Sequence, residues 1–89
     1  MTIEKINFVL ELTKKQFEYV RSSDSAHSNQ IASGLFKNDV FAEIMMQIGS
    51  PEFISETKIS WETEDKDALL FDMERIITSI EKLLDDNLL

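Results

Sequence analysis

Cysteine is absent from this chain, which removes any disulfide staple, any thiolate metal site and any mark of an oxidising compartment. Glycine is scarce, with Gly34 and Gly49 standing alone, so no glycine-rich loop is available to cradle a phosphate. A single histidine, His27, limits imidazole chemistry to one serine-rich segment. Residues 1–7 are too polar for the apolar stretch of a secretory signal, and no apolar run approaches the length of a membrane span. The expected location is the cytoplasm. Basic side chains are also in short supply: nine Lys and Arg face seventeen Asp and Glu, for a net charge of −8. The deficit is local. Residues 1–50 carry five basic and six acidic side chains, residues 51–89 four and eleven. Direct binding to a nucleic-acid backbone is thereby disfavoured, and a partner with a basic surface is favoured.

What is present is the composition of a folded protein, 43% hydrophobic with six Phe. A chain of 89 residues has material for one modest core, so residues 1–89 are expected to form a single helical domain. Thr2 is a suitable N-cap. After it Ile3, Ile6, Leu10, Phe17 and Val20 recur at helical spacing to about residue 21, with Val9 on the same face. Phe8, Leu12 and Tyr19 form a second, narrower stripe on that helix, suited to wrapping by the bundle or to contact with a partner or a second copy. Residues 22–33 are polar, with Asp24 a cap for a short helix and Gly34 its terminator.

Residues 35–48 are apolar nearly all round and predict a central helix, ended by a left-handed Gly49 and by Pro51. Phe53, Ile59 and Trp61 lie in an ambiguous stretch, read as an extended connector at about residues 50–62 that plugs the end of the bundle. Thr63 then caps the strongest element, in which nine apolar residues from Leu69 to Leu88 fall within an arc of roughly 140°. The expected fold is all-α: a small three- to four-helix bundle with that connector before a long C-terminal helix.

Few residues invite chemistry. Asp24, Ser25, His27 and Ser28 spell a hydrolytic triad only as neighbours in a loop, without the orientation such a triad needs. Glu62, Glu64, Asp65 and Asp67 lack the glycine and terminal bidentate glutamate of a calcium loop. Neither an enzyme nor a metal or cofactor site is expected. The informative region is the outer face of the last helix, where Asp67, Asp72, Glu74, Glu81 and Asp85 surround an incongruous Phe71, flanked by Arg75. Trp61 or Phe53 could fold over Phe71; otherwise it is an apolar anchor inside an acidic rim.

Regularly spaced carboxylates can imitate phosphates and steer association. The expected function is therefore a non-enzymatic protein-binding module, an acidic inhibitor or immunity-type protein masking a basic, nucleic-acid-binding surface of a target enzyme. Small phage-encoded anti-defence proteins and toxin-neutralising immunity proteins share this size and acidity, though no motif here identifies either. The alternative is a helical adaptor or chaperone, self-associating as a homodimer through Phe8, Leu12 and Tyr19 or through the last helix, and holding a partner's amphipathic segment with Phe36, Phe41, Met45 and Met46.

Overall fold

Each of the five α-helices among the described residues starts at a side-chain oxygen. In the computed structural model, which describes residues 2–88, these are α1 (Ile3–Ser22), α2 (Ser25–Gly34), α3 (Asp39–Ile48), α4 (Pro51–Ser60) and α5 (Lys66–Leu88), with a 3₁₀ turn at Leu35–Lys37. Thr2 accepts from the Lys5 amide at 3.2 Å and Asp24 from that of His27 at 3.0 Å. Asn38 accepts from Val40 and Phe41 at 3.0 and 3.1 Å, Ser50 from Phe53 at 3.1 Å, and Asp65 from Ala68 at 2.8 Å. Each such cap satisfies an amide the helix leaves open and stabilises it by about 1 kcal/mol. No strand occurs among the described residues, so the all-α expectation holds.

The caps also explain where the helices depart from expectation. The helix read over residues 35–48 is broken at Asn38, whose side chain claims the next two open amides and starts α3 afresh. Gly34 stays right-handed, at φ −61° and ψ −26°, and passes directly into the 3₁₀ turn. The extended connector is a helix. Ser50 caps it, Pro51 occupies its first turn where no amide is needed, and Glu52 complements the helix dipole. Gly49 is extended rather than left-handed, with φ −147° and ψ 167°. Its missing side chain serves packing instead, since a Cβ there would stand 2.5 Å from the Phe53 ring. Asp65, not Thr63, caps α5; Thr63 lies in the preceding turn.

The two long helices form the frame. Lys66 at the start of α5 donates to the carbonyl of Ser23, just past the end of α1, at 2.7 Å. Farther along α5, Glu81 pairs with Lys14 in mid-α1 at 3.8 Å, so the two helices run antiparallel. Between them lie Ile6, Val9, Leu10 and Val20 of α1 and Leu69, Met73, Ile76 and Ile80 of α5, all buried. Phe41, Ile44 and Met45 of α3 complete the same core, each such side chain contributing roughly 1.5–3 kcal/mol. Trp61 is fully buried and does plug the bundle, edge-on to Phe36 at 5.2 Å. Ile59, expected beside it, is 67% exposed, because the helical turn of α4 points it outward.

Candidate functional site

The periodicity of α5 sorts its acidic residues into two environments. Asp67, Glu74, Glu81 and Asp85 are exposed and lie within about 40° of one another on the helix. Glu81 is engaged by Lys14 across the bundle, while Asp67, Glu74 and Asp85 form no ion pair among the described residues. Asp72 stands apart from this row. It sits at the edge of the apolar arc, half-buried, and accepts from the Trp61 indole N–H at 3.4 Å. Its carboxylate is committed to holding Trp61, so it is not an outward-facing member of the acidic rim.

Phe71 is 61% exposed in the middle of this surface. Trp61 does not cover it: the indole is fully buried, with its N–H turned to Asp72. The Arg75 guanidinium lies 5.8 Å from the Phe71 ring centroid, a cation–π distance. Phe53, 39% exposed, stands across from Phe71, and the two rings belong to opposite walls of a groove of about 730 Å³ between α4 and α5. Ile48, Gly49 and Ile76 contribute to its lining, as do Thr57, Asp72, Glu74, Arg75 and two small polar residues, Thr78 and Ser79. Sequence reasoning marked Phe71 but missed this groove. Its signal was the exposed phase of Phe53 on a helix that had been read as extended.

In the turn between α4 and α5, Glu64 comes under the influence of Asp72 on α5. Glu64 is half-buried; Ser60 donates to one of its oxygens, and the other has no hydrogen-bond partner. Burial raises the Glu64 carboxyl above its ordinary value of 4.5, and the neighbouring carboxyls of Asp72 and Asp65 push the same way, against the Ser60 hydroxyl. A protonated Glu64 can donate to Asp72; an ionised one cannot. The stability Glu64 contributes is therefore fully present below 4.5 and lost as pH rises through its raised folded-state value. Glu64→Gln keeps a donor at every pH. Its stability relative to the wild type should be greater at about pH 7.5 than at about pH 5, read from paired urea midpoints. An unchanged difference would show that the pair does not share a proton.

The remaining candidates are dispersed. Phe8 and Tyr19 are 52% and 47% exposed on the outer face of α1, while Leu12 between them is half-buried against the core. Of the apolar surface expected on α3, Phe41 and Met45 are fully buried and Phe36 half-buried, leaving Met46 alone exposed. Those side chains are core because α3 lies between the long helices and the α4 turn. His27 donates through Nδ1–H to the Asp24 carboxylate, 2.9 Å away on the surface. The His27 backbone N–H, followed by its ring, lowers the Asp24 carboxyl below its ordinary value. Ser28 does not join them: its hydroxyl donates to the carbonyls of Val20 and Asp24. No cluster of three metal-ligating side chains occurs among the described residues. None of the helices is long and apolar enough to cross a membrane.

Compared with protein-family models, curated proteins and solved structures, the chain matches none. No relative lends this surface a role. What the geometry offers is an exposed apolar ring and a groove, with carboxylates nearby, on a frame of two long antiparallel helices.

Proposed function

We propose that this chain is a non-enzymatic binding module that docks α5 onto a basic protein surface, in the manner of an acidic inhibitor or immunity-type protein covering the nucleic-acid-binding face of an enzyme. The observation that carries this reading is Phe71, 61% exposed with Asp67 and Glu74 exposed beside it. An aromatic side chain inside a charged rim is the arrangement of an interface anchor: the ring supplies affinity on desolvation, and the carboxylates supply orientation and encounter rate. The net charge of −8 acts in the same direction. Nucleic acid itself would be repelled.

The test is capture from a host lysate with wild-type and Glu74→Lys/Asp85→Lys baits, washed at rising salt. Neither residue is in an ion pair among the described residues, so the fold should survive the reversal. A nucleic-acid enzyme held by the wild type, released by salt and not retained by the reversed bait supports the reading. Equal retention of the same partner by both baits overturns it. The exposure of Phe8 and Tyr19 favours a second reading, a homodimer through the outer face of α1; a concentration-dependent mass in sedimentation, abolished by Phe8→Ala, would support it.

A further inference from the structure

We propose that the groove between α4 and α5 receives the apolar face of a basic amphipathic helix from the partner, an inference that rests on the reading of this chain as an acidic binding module and specifies what it grips. Ile48, Phe53, Phe71 and Ile76 give the groove a large apolar lining among polar neighbours, and its volume of about 730 Å³ accommodates several side chains rather than one. Burial of apolar groups there would be the main source of affinity.

Secondary structure of the occupant follows from hydrogen bonding. An extended segment crossing the groove would set amides and carbonyls against Phe53, Phe71 and Ile76, with no sheet edge among the described residues to receive them, and each unsatisfied group is costly. A helix satisfies its own backbone and presents side chains alone, which is how grooves between helices are usually filled.

Its charge follows from the lips. On α4, Glu56 is exposed and lies about 60° round the helix from Phe53; on α5, Asp67 and Glu74 are exposed about 40° and 60° round from Phe71. None of these three carboxylates is in an ion pair among the described residues. Lys or Arg flanking the apolar stripe of a docked helix would meet Glu74 in the groove lining and Glu56 and Asp67 within a turn of Phe53 and Phe71. Arg75, the one cation lining the groove, lies over Phe71 and would repel basic side chains pointing straight inward. The occupant is therefore basic at its flanks and apolar at its centre. A uniformly basic strand does not meet that description.

Three synthetic probes test this by amide NMR shifts and titration: a Leu–Lys amphipathic helix of about 18 residues, its Leu–Glu counterpart, and a Lys–Gly–Ser peptide of the same positive charge. The Leu–Lys helix should bind and shift the amides of Ile48, Phe53 and Phe71, while the Leu–Glu helix should not bind. Phe71→Ala should weaken the Leu–Lys complex by about tenfold or more, with helicity and melting temperature unchanged because the ring is exposed. Glu56→Lys/Glu74→Lys should weaken it comparably at low salt. Equal binding of both Lys peptides, with shifts confined to the acidic row and the groove amides unmoved, would overturn the groove assignment and leave the acidic module standing. Shifts at Phe8, Leu12 and Tyr19 instead of the groove would likewise overturn the assignment. Failure of both Lys peptides to bind would overturn both proposals.

Discussion

Trp61→Ala should bring the chain close to unfolding, with an expected loss of about 3–5 kcal/mol. The residue is the largest fully buried side chain, closes one end of the core, packs edge-on against Phe36 and donates to Asp72. Its removal leaves a cavity between α4, α5 and the 3₁₀ turn and strands the Asp72 carboxylate without its indole partner. A domain of this size has a total stability of roughly 5–15 kcal/mol at most, and small cores sit at the low end. Urea denaturation followed by circular dichroism should show a midpoint shifted to very low urea or no folded baseline at all. Trp61→Phe retains most of the apolar volume and should cost distinctly less. Equal damage by both would mean that the hydrogen bond to Asp72, rather than the packing, secures this end of the bundle.

Asn29→Asp is expected to be nearly as damaging, although it changes one atom pair and hardly any volume. The Asn29 amide nitrogen donates to the carbonyls of both Trp61 and Glu64 at 2.9 Å, clamping the turn between α4 and α5 onto α2. A carboxylate there has no donor to offer. It would set negative charge against two carbonyl oxygens, beside a Glu64 that already resists ionisation. Two lost hydrogen bonds with their acceptors left partly buried amount to about 2–4 kcal/mol, or a fall in melting temperature on the order of 10–25 °C for a chain this short. Acidification should restore part of the loss, because a protonated carboxyl can donate once. Asn29→Ala, which adds no charge, should show no such recovery.

These two residues also mark the boundary of what could be read without coordinates. The frame was legible: Ile6, Leu10 and Val20 on α1 and Leu69, Met73, Ile76 and Ile80 on α5 repeat at helical spacing and are buried as that spacing requires. So were the caps at Thr2, where a polar side chain precedes a clear apolar period, and at Asp24, where an acidic side chain opens a polar segment ending at a glycine. α4 was not. Ser50-Pro51-Glu52 is a helix start as much as a helix stop, and Phe53, Ile59 and Trp61 by themselves resemble strand alternation. Only the buried Thr57 and half-buried Ile54, three or four residues from their neighbours, reveal the helical side.

The candidate site divides in the same way. Phe71 and the exposed row of Asp67, Glu74, Glu81 and Asp85 follow from a helical wheel, because they belong to one element. The groove does not, since it joins α5 to Phe53 and Gly49 across a turn whose form was misread. Asp72 shows the limit of the wheel most directly. It has the phase of a boundary residue, and only the indole of Trp61, eleven positions away, decides which way it is committed.

The exposed rings have a further consequence for how copies of this molecule behave in bulk solution. Phe8 and Tyr19 on one side and Phe53 and Phe71 on the other give each molecule two sticky faces, and what keeps copies apart is like-charge repulsion. That colloidal barrier disappears near the isoelectric point of about 4.5, where apolar contact between molecules is no longer opposed. Precipitation there, reversed by a return to neutral pH, is the behaviour expected of a molecule whose acidity guards its own apolar surface.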